Sequence, residues 1–422
     1  MSIKILHIAS SLSGGAGIAC LRFHQALIER GVESVVLTHS YVEGFQNVYR
    51  VFEKRKSFLY RVMRKLRMNF IYDYLFLTDI YVEQKVRKFD YEAFALTRQG
   101  SDFKDFLNSN KFDVINLHWI ASKVNLDGLL RATGNTEVIW TLHDMNAFTG
   151  GCTASVGCNL YKTSGCENCP QLHYTLEDIA KRNFERKKKI FSKKAITIIS
   201  SSQQLYENSK TSILLRSMTH KLIPLANFNL IKVKSKRDIL KVDFGLSNSK
   251  VIVGFGATGL NRENKGLRLL VNTLNSMDNS KFQLVIFGHG DLSKFDMQNI
   301  DYKYFEYVKD LNQIAILYTI MDVFVSISNQ EAFGQTFMEA LCLGTPIIGT
   351  PTGAIPDFIN ATNGIIINDR TEENLKNAIL RFKTDDFDRD TIAQKARTDF
   401  SPQSMIDSYI SLYEDIKKKN NT

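Results

Sequence analysis

A chain of 422 residues, 44% hydrophobic and 23% charged, holds more apolar material than one ordinary core and reads as two globular domains, not as a disordered or fibrous chain. Its net charge of +10 favours anionic partners such as nucleoside diphosphates or an acidic membrane surface, and the lack of a basic module interleaved with aromatics speaks against nucleic acid. No uninterrupted apolar run reaches the roughly 18 residues a spanning helix needs, and Met1 leads straight into a strand pattern, so a cytoplasmic protein without signal peptide is expected.

In chain order, Lys4–Ala9, Ser34–Thr38, Asp113–Trp119, Glu137–His143, Ala195–Ser200 and Lys221–Leu225 are short apolar runs with little alternation, the pattern of strands buried on both faces. Helical patterns lie between them, such as Ala16–Arg30, closed by Gly31. After a polar, Lys-rich stretch over Ile231–Lys250 a second series follows: Val251–Ala257, Phe282–Gly288, Tyr302–Tyr307, Asp322–Ile327, Pro346–Gly349 and Gly364–Asn368. Two such series predict an α/β chain of two Rossmann-like domains, joined near Phe228, with ligand sites at the carboxyl ends of their strands and a cleft between them.

Two glycine loops fall at such strand ends. SLSGGAG carries Gly14, Gly15 and Gly17 and lets backbone approach a ligand closely, without the full dinucleotide spacing; it also reads as a tight turn and nothing more. GFGATGLNRENKG brings Lys265, a compact charge suited to a leaving diphosphate, to the start of a helix. In VIWTLHD, His143 closes a strand and either projects at the cleft or caps its own loop; His118 closes the strand before it. The stretch SNQEAFGQTFMEALCLGTPIIGTP, Ser328–Pro351, places Glu331 on a loop and Glu339 inside a helix that starts near Gly334. That helix start would hold a phosphate against its positive dipole end, with Glu339 reaching a hydroxylated group attached to it.

Lys54–Phe70 sets Phe58, Leu59, Val62, Met63, Leu66 and Phe70 on one helical face and Lys54, Arg55, Lys56, Arg61, Arg64, Lys65 and Arg67 around it. It reads as a membrane-surface helix or as an ordinary packed helix with a solvated basic rim. Within the loop 150–170, Cys152, Cys158, Cys166 and Cys169 fall close together, the last two with CxxC spacing and with Gly150, Gly151, Gly157 and Gly165 to allow turns. In a reducing compartment this suggests a structural zinc; a disulfide formed on isolation and free thiols are the alternatives.

EAFG, MEALCLGTPIIGT and GAIPDFI together resemble the signature of the retaining GT-B glycosyltransferases of family four: a Glu, seven residues, a second Glu, a small-residue helix, a Gly-Thr-Pro strand and a Gly-x-Pro turn. The resemblance covers the C-terminal half and, more loosely, the N-terminal half. NLHWI, TLHDMNAFTGGC and the cysteine loop are similar to the bacterial subgroup of colanic-acid-biosynthesis enzymes. It implies an acceptor domain over residues 1–228, a nucleotide-sugar domain over 229–400 and a helix over 401–422 crossing back to the first domain. It implies further that Glu339 bonds the donor ribose, that Glu331 and His143 contact the donor sugar, and that Lys265 serves the diphosphate. The glycine loop, Arg262, Val308, Phe333 and Gly334 complete the donor site, with the backbone around Val308, Lys309 and Asp310 at the base.

Three positions depart from the pattern: Asp357 stands where Glu is usual, Leu260 where Arg is usual, with Arg262 as its substitute, and Asn146 where the subgroup has Trp. No Asp-x-Asp pair closes a strand in this reading, so no catalytic metal is expected; Lys265 and helix N-termini would neutralise the leaving group, whose own oxygen takes the acceptor's proton with retention of configuration. The implied partners are a UDP- or GDP-sugar, a glycan or lipid-linked glycan acceptor and the inner membrane surface. Another GT-B reaction, epimerisation or phosphorolysis, and a non-catalytic sugar-nucleotide binder are the alternatives. All four of Glu331, Glu339, His143 and Lys265 are present, as an active enzyme requires.

Overall fold

The computed structural model describes residues 3–41, 43–51, 62–63, 65–68, 94–96, 100–101, 103–121, 123–173, 176–229, 231–306 and 308–420. Of the basic stretch Lys54–Phe70, residues 54–61, 64, 69 and 70 lie outside them. The chain divides into two units, Met1–Pro224 with Gln403–Thr422, and Leu225–Pro402. The boundary falls a few residues ahead of Phe228.

The first unit is a seven-stranded sheet of β1 (Lys4–Ala9), β2 (Glu33–Thr38), β3 (Val48–Arg50), β4 (Val114–Leu117), β5 (Glu137–Thr141), β6 (Thr197–Ser200) and β7 (Thr219–Leu222), in the order β3-β2-β1-β4-β5-β6-β7. Every pairing in it is parallel. The apolar runs take this form because both faces are covered: Ile5, Leu6, Ile8, Val36, Leu37, Val114, Leu117, Ile139 and Ile198 are fully buried. β3, with only Val48 half-buried, carries no apolar run and was not legible as a strand. β4 stops at Leu117 and β5 at Thr141, so His118, Trp119 and His143 lie on the loops that follow instead of ending strands.

The closing helix Pro402–Asn420 belongs to this unit and completes its polar interior. Asn116 Nδ2 on β4 donates to Tyr413 OH at 3.0 Å, Thr141 Oγ1 on β5 donates to Asn116 Oδ1 at 3.0 Å, and Tyr409 OH lies 3.1 Å from that Oγ1. At the rim, Lys417 pairs with Asp113 and Arg30 with Asp407, both at 3.0 Å.

The second unit is a six-stranded sheet of β8 (Val251–Ala257), β9 (Phe282–Gly288), β10 (Tyr302–Phe305), β11 (Val323–Ser326), β12 (Ile347–Gly349) and β13 (Gly364–Ile366), ordered β10-β9-β8-β11-β12-β13, again all parallel. One face packs Phe324, Phe337, Tyr318 and Phe400, the other Phe255, Leu270, Val325 and Leu375. At the amino end of β11, buried Asp322 accepts from Arg237, from Lys241 Nζ at 3.2 Å and from the Ile252 N–H at 2.7 Å, which ties the helix Arg237–Asp243 to the sheet. Among the described residues no helix is long and apolar enough to cross a membrane.

Candidate active site

In each sheet the strand order reverses once at an inner pair, β1 with β4 and β8 with β11. Chains leaving the carboxyl ends of such a pair diverge to opposite faces and open a crevice there. In the second unit the two diverging loops are stitched together: the Asn329 N–H donates to Asn264 O at 2.8 Å, and Arg370 donates to Ile327 O at 2.7 Å and to Glu263 O at 2.8 Å. Between them Lys265 Nζ meets Glu331 Oε1 at 2.7 Å, and Ser328 Oγ donates to the same oxygen at 2.7 Å. The side chains are 17% and 22% exposed, so the ion pair is ordered by its neighbours yet open to a ligand. Arg370 was not singled out from the sequence, since one Arg after a strand carries no spacing signal.

Gly334 caps the helix Gln335–Cys342 with a φ of 101°, a left-handed turn that directs the chain from the Glu331 loop into the helix. The positive end of that helix therefore starts three residues after Glu331. Glu339, one turn inside, accepts from Tyr318 OH at 3.0 Å. Burial, with that carboxylate beside it, pushes the Tyr318 hydroxyl well above its ordinary range. Phe333 is 3% exposed and its ring stacks on Phe337 and meets Phe400 edge-on; what it offers the site is backbone, not ring. Val308 is half-buried against the same core, while Arg262 and Asp357 are exposed. Leu260 is 1% exposed and packs with Phe255 and Leu267, which suits Leu at a position where Arg was expected.

In the first unit the glycines of SLSGGAG do not form a free loop: the helix begins at Gly14 and runs to Glu29, with Ser13 as its cap. Gly17 is needed by the protein's own backbone, because a Cβ there would sit 2.5 Å from Ser11 O and 2.6 Å from Leu12 C. Gly14 and Gly15 are exposed on the first turn.

His143 is the half-buried end of a row of three imidazoles. Its Nε2 lies 3.0 Å from His118 Nδ1, and His118 Nε2 lies 3.0 Å from His7 Nδ1 on β1. Burial pulls His143 down to about 4 and His7 to about 3, and holds His118 well below the ordinary range, aided by its two neighbours. The sequence signal was available: β1 and the loops just after β4 and β5 each carry a His that follows a Leu, in LHIA, LHWI and LHDM. Asp144 is engaged by the Trp119 indole N–H and the Asn146 N–H, both at 2.8 Å. Asn146 in turn donates to Ala95 O and Gly151 O, so this amide ties the cysteine loop to the strand end.

In that loop Cys152, Cys166 and Cys169 are buried and Cys158 is half-buried. The four thiols share one neighbourhood, each within electrostatic reach of Cys152, but they are not gathered at ligand spacing. Among the described residues, the set whose ligand atoms all lie within 4.8 Å of one another is His7, Cys20 and His118. Cys166 Sγ accepts from the Gly150 N–H at 3.2 Å, and Cys169 accepts from the N–H groups of Gln171 and Leu172. Val156, Cys166 and Asn168 all hold positive φ. Lys187, fully buried and missed from the sequence, donates to Asn146 O and to Thr149 O; burial pulls it down to about 8.

Residues 249–385 match the family described as Glycosyl transferases group 1. Over 328 residues, 72% of this chain and 76% of the relative, the sequence is 24% identical to the "Putative colanic acid biosynthesis glycosyl transferase WcaC" of Escherichia coli K12. Among solved structures, sucrose-phosphate synthase from Thermosynechococcus elongatus superposes with a TM-score of 0.65 at 16% identity, covering 98% of this chain and 99% of that one. Anabaena HepE in complex with UDP gives 0.62 at 14%, covering 98% and 100%.

Proposed function

We propose, from a chain that carries a glycosyltransferase group 1 domain on the GT-B fold, that it transfers a sugar from a nucleoside diphosphate to a growing bacterial surface glycan, with retention of configuration. The observation that carries this is the Lys265–Glu331 pair at the crevice of β8 and β11, beside the positive end of the helix Gln335–Cys342. An arriving diphosphate competes with Glu331 for Lys265; the released carboxylate then takes a sugar hydroxyl, and Glu339 takes the ribose. Positioning and charge neutralisation supply the catalysis, with no catalytic metal in the scheme. A UDP complex among the structural neighbours supports a nucleotide site on this fold. The WcaC relative supports a polysaccharide or lipid-linked glycan as acceptor.

The same reading keeps the enzyme cytoplasmic, with Lys54–Phe70 touching the anionic inner leaflet, and gives the four-cysteine loop a structural zinc. Liposome flotation tests the first: no binding to anionic vesicles at low salt would remove it. For the reaction, Glu331→Gln and Lys265→Ala should each abolish transfer while leaving the unfolding transition in place, and NMR of the product should show the donor's anomeric configuration. Near-wild-type turnover by either variant, or inversion, would overturn the assignment.

A further inference from the structure

A row of neutral imidazoles has a direction. Each of the two ring-to-ring contacts, His143 Nε2 to His118 Nδ1 and His118 Nε2 to His7 Nδ1, needs one proton, and each neutral ring has one N–H to give. Only two arrangements satisfy both contacts: every ring protonated at Nδ1, or every ring protonated at Nε2. In the first, His143 points an N–H outward from Nδ1. In the second it points a lone pair outward, and the proton at the other end sits on His7 Nε2.

That other end decides between them. His7 is fully buried and its Nε2 has no hydrogen-bond partner. An orphaned N–H in a core is rarer than an orphaned acceptor. Cys20, whose sulfur lies with the His7 and His118 nitrogens inside one 4.8 Å cluster, is kept protonated by burial and brings no charge to the row. His24, 6.3 Å from His7 between ring centroids, is occupied elsewhere: its Nδ1 meets Ser34 Oγ at 2.7 Å and its Nε2 meets Gln46 O at 2.8 Å.

We propose that His7 and His118 hold His143 as a neutral imidazole with its proton on Nδ1, the nitrogen that points away from the row, so that His143 meets a ligand at this strand end as a hydrogen-bond donor and not as a base. His118 and His7 are positioning residues. The part about substrate rests on the proposed glycosyl transfer; the tautomer does not. The titratable groups around the row are Cys20 and His24 on the helix Gly14–Glu29, Tyr409 on the closing helix, and Asp144, which Trp119 and Asn146 already hold. Among the described residues no carboxylate figures among the charges that act on the three rings, and burial keeps them neutral.

The test is the nitrogen spectrum of the full chain labelled with ¹⁵N-histidine, without ligand, at about pH 7, with His143 assigned by its loss in His143→Gln. The expected result is a protonated Nδ1 and a bare Nε2 on His143 and on His118. The opposite tautomer, an imidazolium, or shifts at His7 and His118 that move on adding zinc would overturn the proposal. In His118→Phe the outward proton should no longer be fixed and His143 should show both tautomers, whereas His118→Gln, whose amide still donates to His143 Nε2, should keep the wild-type one. An unchanged tautomer in His118→Phe would remove the positioning role; if that variant does not fold, the wild-type spectrum alone decides. With a donor sugar in hand, His143→Gln should retain more turnover than His143→Ala, which loses about 100-fold as a site does when one donor goes. Equal losses would overturn the donor role. A correct spectrum with no sugar nucleotide accepted would sink the enzymatic reading and leave the tautomer standing.

Discussion

At the scale of single residues, the chemistry is set by what surrounds each side chain. His143, His118 and His7 are held neutral in the folded chain, whereas in the unfolded chain each charges near 6.5. Below that pH the unfolded chain binds protons that the folded one refuses, so stability falls as pH falls from about 6.5 towards the folded values near 4 and 3. Each pH unit in this window costs about 1.4 kcal/mol per histidine. Urea unfolding between pH 7 and pH 4.5 should therefore show a steady loss, and a flat profile would contradict the buried row. Asp322→Asn is expected to cost about 3–5 kcal/mol by urea unfolding, because it leaves the Arg237 and Lys241 cations without their shared carboxylate in a mostly buried site. A cost below about 1 kcal/mol would mean that water already screens the pair.

At the scale of elements, the two glycine-bearing starts differ from each other. Gly334 shapes the turn that brings Glu331 to a helix end, while Gly17 only lets its helix lie against Ser11 and Leu12. Gly17→Ala should lower stability by about 1–3 kcal/mol through overpacking, and Gly15→Ala, on an exposed first turn, should leave it nearly unchanged. If Gly15→Ala abolished sugar-nucleotide binding without altering the melting temperature, this helix start would gain a ligand role that its geometry does not require. The cysteine loop makes a sharper demand. Two N–H groups bond Cys169, and Val156, Cys166 and Asn168 turn the loop with positive φ, yet the sulfurs must still draw together to bind one ion. Protein purified without chelator should carry about one zinc per chain, lost in Cys166→Ser. Metal-free protein whose melting temperature ignores chelation would end that reading.

At the scale of the whole molecule, two doubly wound units explain why so much was legible. Among the described residues, the inner strands, buried on both faces, write continuous apolar runs and announced themselves; of the exposed edge strands, β3 was missed and β7, Thr219–Leu222, coincides with the expected run Lys221–Leu225 only at Lys221 and Leu222. The Glu331, Glu339 and Lys265 positions were legible because loop, helix cap and helix are contiguous or follow one strand. Arg370, which holds the Ile327 and Glu263 carbonyls, and Tyr318, which donates to Glu339, were not, since each comes from an element distant in sequence. The imidazole row needed one step more than its three Leu-His pairs: His7 and His118 meet because β4 lies beside β1. The closing helix shows how completely the first unit depends on distant sequence. Tyr413→Phe would leave Asn116 Nδ2 buried without its acceptor, at a cost of about 1–3 kcal/mol by calorimetry; no change would mean that Asn116 finds another partner.

A nucleotide sugar seated at the proposed Lys265–Glu331 crevice would raise the thermal stability of the chain, which a panel of UDP- and GDP-sugars measures. At one hundred times its dissociation constant the true donor should add about 2.7 kcal/mol to the stability of the wild-type chain, and Lys265→Ala, folded as before, should lose most of that gain. A panel in which no nucleotide sugar stabilises the protein at millimolar concentration, or in which Lys265→Ala is stabilised as fully as wild type, would rule out a donor site there.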